Sequence, residues 1–385
     1  MTPQELAWLT ARRHELHQHP EVSGAEQDTA ATIRNLLNGC APDRVLTGIG
    51  GHGVAAVFDS GRDGPTVAIR CELDGLPIQE TSDLPYASTR PGTGHLCGHD
   101  GHMVMVLGVA RALANDRPAT GSVVLIFQPA EETGKGAAAY RDDSQFQSIA
   151  PDYVLSLHNL PGLELGAVEL CKGATNCASR GMRIGLTGKT SHAAAPQDGV
   201  SPAQALAGLI PSLDDLGQGG ALDDTYALTT VTHASLGAAT FGVAPGDAEL
   251  WVTLRAVTDG RMAELVRSAE TLVESIAKDQ NLDVTIEYDD IFEACANDPS
   301  AVAVLAGACA SQNVPLRMSS QPQRFSEDFG QFAKGAKSAM FWLGAGVDHP
   351  QLHNPDYDFP DALIPVGTGI FMAAITRLLG PVSPR

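Results

Sequence analysis

Thr93-Gly94-His95-Leu96-Cys97-Gly98-His99-Asp100-Gly101-His102 is followed directly by the apolar run Met103-Val104-Met105-Val106-Leu107. Histidines, a cysteine and an aspartate crowd positions 95 to 102, and these are the side chains that bind borderline divalent metals. Cys97 and His99 stand two apart, so both reach one ion only if the chain between them is extended or looped. The glycines permit such a path, and the apolar run reads as a buried helix that anchors it. The same residues also fit a His-rich helix N-terminus with Asp100 near its cap. Segments elsewhere in the chain decide between the two.

On either side of this stretch lie short apolar runs that read as buried strands. Val54–Phe58 is one, and Thr66–Cys71 runs straight into Glu72-Leu73-Asp74-Gly75-Leu76-Pro77. Ser122–Phe127 delivers Gln128-Pro129-Ala130-Glu131-Glu132-Thr133-Gly134, and Tyr153–Leu157 delivers His158. Asp74, the Glu131-Glu132 pair and His158 therefore occupy the C-terminal ends of successive strands, where open α/β sheets place their active sites. Glu-Glu by itself also suits a solvated surface, but a buried strand and a Gln-Pro-Ala turn precede it. Neighbours at a strand end point in different directions, so one carboxylate can hold a metal while the other faces water.

Before these strands, Pro3–Gln18 has helical spacing. His14-Glu15-Leu16-His17-Gln18-His19-Pro20 reads as the polar end of that helix, stopped by Pro20. Ser23-Gly24-Ala25-Glu26 offers a cap for a second helix, Glu26–Leu37. From about Ser179 to Asp290 the pattern changes. A strand over Met182–Thr187, a helix capped by Ser201, strands over Tyr226–Ser235 and Ala248–Val257, a helix capped by Asp259 and a strand over Leu282–Tyr288 follow in turn. That β-α-β-β-α-β order is the ferredoxin-like split βαβ unit, complete in itself and hence read as an insertion. The expected domains are residues 1–178 and 291–385, forming one α/β domain, and 179–290 inserted within it. The second part carries a helix from Asp298-Pro299, a short helix capped by Ser326-Glu327-Asp328 and a strand over Ser338–Leu343. The loop Gly346–Pro360 with His349 and His353 comes next, then a last helix, Asp361–Leu379.

At 385 residues the chain exceeds what one core usually supports. Its net charge of −20, from 25 basic and 45 acidic residues, argues against nucleic acid or an anionic membrane surface as partner. No uninterrupted apolar run is long enough to cross a bilayer, and Met1-Thr2-Pro3-Gln4-Glu5 has neither basic patch nor signal core. Seven scattered cysteines do not form a disulfide framework and suit a reducing compartment. The expectation is a soluble cytoplasmic protein in which Cys40, Cys71, Cys171, Cys177, Cys295 and Cys309 are packing residues. His95, His102, His233 and His349 are read as structural.

Several motifs together resemble one family. They are His14-Glu15-Leu16-His17-Gln18-His19-Pro20-Glu21, Glu72-Leu73-Asp74-Gly75-Leu76-Pro77, Cys97-Gly98-His99-Asp100-Gly101-His102 and Phe127-Gln128-Pro129-Ala130-Glu131-Glu132. Gly188-Lys189-Thr190-Ser191-His192-Ala193-Ala194, Ser326-Glu327-Asp328-Phe329 and Leu352-His353-Asn354-Pro355 complete the set. The resemblance is to the dimetal amidohydrolases related to aminoacylase and carboxypeptidase G, most like the branch of hippurate hydrolase and the plant auxin-conjugate hydrolases. It covers nearly the whole chain, in order. It implies a mixed-sheet α/β/α metallopeptidase-type catalytic domain, split by a ferredoxin-like α+β lid through which subunits pair as a homodimer or higher oligomer. It also implies two divalent ions per subunit, held by Cys97, His99, Glu132, His158 and His353, with Cys97 shared between them. Glu131 would be the general base and Asp74 would orient a ligand. His192 would be a lid residue reaching the partner subunit's active site, and Arg255 would meet a substrate carboxylate. Two positions depart from the family pattern. Glu72 stands where aspartate is common, and Gly242-Val243-Ala244-Pro245 replaces Asn-Val-Ile-Pro, whose asparagine contacts substrate in the family.

An amide is a poor electrophile and neutral water a poor nucleophile, and a divalent ion addresses both. Thiolate, imidazole and carboxylate ligands suit Mn, Zn, Ni or Co rather than Ca or Mg. The expected activity is metal-dependent hydrolysis of N-acyl amino acids or related conjugates, with Glu131 moving the proton and His192 supporting the oxyanion. Two alternatives are a dipeptidase, carboxypeptidase or hydrolase of an unusual aryl amide or amine, and a non-catalytic metal-binding module. The second would be expected to have lost a ligand or the base, and none is missing.

Overall fold

The computed structural model describes residues 1–384, which divide into two compact units. The first comprises Met1–Thr175, Ala296–Ser320 and the chain from Asp328 onward; the second comprises Asn176–Cys295 and Gln321–Glu327.

The first unit is built on an eight-stranded mixed sheet. In spatial order its strands are Arg44–Ile49, Gly53–Asp59, Ser122–Gln128, Thr66–Glu72, Tyr153–Pro161, Lys337–Gly346, Val168–Cys171 and Leu316–Ser319. Central strands covered on both faces are near-continuous apolar runs, and Ser122–Gln128, Thr66–Glu72 and Tyr153–Pro161 are buried along almost their whole length. These three and Lys337–Gly346 run parallel, with registers Cys71↔Phe127, Val67↔Tyr153 and Phe341↔Leu157. Their C-terminal ends therefore share one edge. Every second strand residue (Val67, Ile69 and Cys71; Val123, Leu125 and Phe127) packs in one core with residues of the helices Pro3–His17, Gln27–Asn38, His99–Asn115, Pro299–Ser311 and Ile364–Leu379. Among the described residues, only Asp361–Leu379 is a helical stretch long and apolar enough to cross a membrane. Half of it is buried, with Ile370, Ala374 and Ile375 in the core.

Two expected caps are made differently. Ser23 donates its hydroxyl to Asp74 instead of capping Gln27–Asn38, and Glu21 accepts from the Thr29 N–H in that helix's first turn. Asp328 opens a 3₁₀ segment, Asp328–Lys334, and its carboxylate accepts from Arg70, from Gln128 and from the Ala137 N–H. A buried carboxylate with that many donors is held in place by satisfied hydrogen bonds rather than by exposure.

The second unit has a four-stranded antiparallel sheet in the order Ala227–Leu236, Asp247–Ala256, Ala178–Thr187, Asp283–Phe292. The helices Ala203–Asp214 and Asp259–Asp279 pack on it around Ile184, Leu209, Leu250, Leu254 and Ala269. This connectivity is the ferredoxin-like arrangement. Thr258, not Asp259, caps the second helix, its hydroxyl accepting from the Arg261 N–H. Asp259 instead accepts from the Ala294 N–H.

Candidate metal centre

The shared sheet edge of the first unit collects the chemically active side chains. Gly98 takes a left-handed φ of +88° just before the helix His99–Asn115. The turn it makes is the looped path that brings Cys97 and His99 together. His158 lies in the buried stretch of its strand, and Glu131 and Glu132 lie in a turn after Gln128, behind Ala130 at a φ of +51°. His353 arrives from the loop after Lys337–Gly346, also left-handed at +67°, with its N–H bonded to the Leu96 carbonyl. A non-glycine residue held at positive φ is uncommon, and here it sits next to the Cys97 segment.

The ligand atoms of Cys97, His99 and His158 lie within 4.8 Å of one another. So do those of Cys97, Glu132 and His353, and those of His99, Glu131 and Glu132. Cys97 belongs to both of the first two groups. Its Sγ is 3.4 Å from His158 Nε2, and His353 Nε2 is 3.6 Å from Glu132 Oε2. The tautomers are set from outside. His158 Nδ1–H donates to the Asn159 carbonyl at 2.9 Å, and His99 Nδ1–H donates to the Asp74 carbonyl at 2.8 Å. Both Nε2 atoms therefore face the cluster, and His99 Nε2 is buried with no hydrogen-bond partner. It lies 3.9 Å from Glu132 and 4.0 Å from Glu131.

The electrostatics call for cations. Burial pushes the Cys97 thiol well above its usual range, and Glu132 and Glu131 push it further. Burial opposes a charge on His99, yet Asp74, Glu72 and Glu132 outweigh it and raise its pKa to about 10. Burial, helped by His102, holds His158 well below its usual range, so that imidazole is neutral. A cluster that keeps protons on a thiol and an imidazole in the middle of carboxylates is one in which divalent ions displace protons. The donor set of thiolate, imidazoles and carboxylates fits Mn, Zn, Ni or Co.

Asp74 acts on its neighbours in two ways. Its carbonyl orients His99, while its carboxylate, 3.6 Å from that ring and beyond hydrogen-bond reach, accepts at Oδ2 from Ser23 and from the Glu132 N–H. Glu26, which no motif singled out, accepts from the Ala130 N–H and so fixes the same turn from the other side. The helix Pro3–His17 ends in the His14–His19 segment, where Glu15 and His19 are exposed but one face is buried. Arg13 and His17 are fully buried and bond Asp100, the residue after His99, and His17 also meets Glu80. His102 is wedged between Glu72 and Asn159 and lies edge-on to His158 at 4.8 Å. All seven cysteines are buried thiols.

His192 and Arg255 belong to the second unit. His192 is exposed on a two-residue ribbon pairing Ser191–His192 with Val243–Ala244, and its Nδ1 accepts from the Ala194 N–H. Arg255 donates to the Arg324 carbonyl and to Ser326. Gly242 accepts the Ala193 N–H through its carbonyl, and a Cβ there would meet nothing within 4 Å. Crowding does not explain the glycine.

The sequence profile of peptidase family M20/M25/M40 matches residues 68–377. The N-acetyl-L-cysteine deacetylase of Bacillus subtilis is 29% identical over 380 residues, 97% of this chain and 89% of that protein. Hippurate hydrolase of Campylobacter jejuni is 30% identical over 355 residues, 91% of each chain. A dinuclear metal-binding M20 peptidase from Bacillus subtilis has a similar fold, with a TM-score of 0.82 at 25% identity over 98% of this chain and 99% of that one.

Proposed function

The chain belongs to peptidase family M20/M25/M40, and from that membership we propose that it hydrolyses N-acyl amino acids or closely related amide conjugates. It is a metal-dependent hydrolase of amide C–N bonds, and its relatives include deacetylases and a hippurate hydrolase. The observation that carries the reading is the pair of ligand groups that share Cys97, one with His99 and His158 and one with Glu132 and His353. Two divalent ions held there would polarise the substrate carbonyl and lower the pKa of water from 15.7 towards about 7.

In this reading the protein's own groups divide the remaining work. Glu131 takes the proton of the attacking water on its carboxylate and delivers it to the leaving nitrogen, a role worth roughly 10²–10⁴-fold. The Asp74 carbonyl and the Asn159 carbonyl keep His99 and His158 presenting Nε2. His192, reaching the active site of the partner subunit, donates from Nε2–H to the developing oxyanion there, since its Nδ1 already accepts from Ala194. A donor of this kind contributes about 2.7–4 kcal/mol. Arg255 binds the carboxylate of the amino acid. The second unit serves as lid and pairing surface of a homodimer, a role supported by its exposed apolar side chains Leu236, Phe241, Val243 and Trp251.

Glu131→Gln should leave the metal content unchanged and abolish turnover, measured by metal analysis and amine release. Turnover within tenfold of wild type would remove Glu131 from the mechanism. The open space at Gly242 keeps a dipeptidase reading in play. A panel of N-acyl amino acids and dipeptides assayed with Mn²⁺ separates the two, with faster turnover of the N-acyl compounds expected.

A further inference from the structure

We infer that Asn159 is a positioning residue that locks the segments carrying Cys97, His99, His158 and His353 into one geometry, an inference that rests on the metal-centre reading above. Asn159 is fully buried, directly after His158 near the end of the strand Tyr153–Pro161. Burying a carboxamide is costly unless both of its halves are bonded, and here both are. Its Oδ1 accepts from His102 Nε2, and its Nδ2 donates to the Tyr357 hydroxyl at 2.6 Å.

Each contact leads to a different ligand segment. The amide lies against the bare Cα of Gly98, where a Cβ would sit 2.5 Å from Oδ1, so it fills the inside of the left-handed turn between Cys97 and His99. Its own carbonyl fixes the tautomer of His158, the preceding residue. Tyr357, also fully buried, lies on the same loop as His353, with its N–H on the Asn354 carbonyl. Through His102 the chain of bonds continues to Glu72 and Arg70 on the neighbouring strand. An apolar residue of similar size would fill the space under Gly98 but tie none of these segments together. Groups behind metal ligands that orient them change metal affinity or activity by about 10–100-fold when removed.

The test compares wild type, Asn159→Leu and Tyr357→Phe. The readouts are Co²⁺ and Mn²⁺ affinity by chelator competition, the absorption spectrum of the Co²⁺-loaded protein, the melting temperature of the metal-free protein, and kcat and KM. Asn159→Leu should weaken metal binding roughly 10–100-fold, alter the Co²⁺ spectrum and lower kcat with KM within about twofold. Tyr357→Phe, which removes one tether, should change the same quantities in the same direction by less. If both variants bind metal with wild-type affinity and spectrum, any loss of activity then following the melting temperature alone, Asn159 is merely structural and the inference fails while the proposed function stands. If Asn159→Leu does not fold, Tyr357→Phe decides: unchanged metal affinity overturns the inference. A wild-type protein that binds no transition metal overturns both readings.

Discussion

Cys97 sets the strictest condition in the site, because only its thiolate can serve as a ligand. Burial and the carboxylates of Glu131 and Glu132 keep the thiol protonated until cations arrive. Metal binding should therefore release protons, seen as a dependence of the calorimetric heat on the ionisation enthalpy of the buffer. Cys97→Ala should reduce that release and lower the bound metal below two per subunit; unchanged stoichiometry would exclude the shared ligand. Asp74→Asn separates the two ways in which Asp74 orients the ligands. The carbonyl that orients His99 survives the change, but the carboxylate that holds the Glu132 N–H is weakened, so kcat/KM should fall by roughly 10–100-fold with little loss of the fold. The ligand residues were legible in the sequence because Glu and His at the ends of apolar strands, and Cys and His crowded into one glycine-rich stretch, have few other reasons to be there. Ser23, Glu26 and Asn159 were not, because a serine, a glutamate and an asparagine beside turns have many ordinary uses.

At the scale of elements, the helix Pro3–His17 has an unexpected partner. Its last turn looks polar and solvated, yet Arg13 and His17 are buried against Asp100 and Glu80. Spacing along one helix cannot reveal a carboxylate more than eighty residues away (|i−j| of 87 and 83). Burial disfavours a charge on His17, but Asp100 and Glu80 outweigh it and raise its pKa to about 9. A raised folded-state pKa gives stability that is complete below the unfolded value near 6.5 and is lost as pH rises through about 9. The unfolding free energy in urea should therefore fall between these limits by about 1–3 kcal/mol, and His17→Gln should flatten that dependence. At the start of the next element in the site, a Cβ on Gly101 would lie 2.3 Å from the Phe359 ring. Gly101→Ala should cost about 1–3 kcal/mol by overpacking, read from the same unfolding curves. The buried parallel strands were legible as continuous apolar runs. Arg44–Ile49 and Leu316–Ser319 were not, since both are half-exposed edge strands, and the four-residue strand Val168–Cys171 is too short to show a period.

For the whole molecule, the ferredoxin-like order of the inserted segment could be read directly, because alternating strands and two capped amphipathic helices follow each other without interruption. The mixed character of the large sheet was less accessible, as antiparallel edges depend on pairings between distant segments. If the second unit pairs subunits, light scattering should give twice the mass of the 40.2 kDa chain, and Phe241→Asp should shift it toward monomer. The central claim is that residues from four separate segments hold two cations through one shared sulfur. Anomalous diffraction from crystals of the Mn²⁺-reconstituted protein tests it most directly. Two peaks, both in contact with Cys97 Sγ, one flanked by His99 and His158 and the other by Glu132 and His353, are the expected result; a single peak, or peaks away from Cys97, would contradict it.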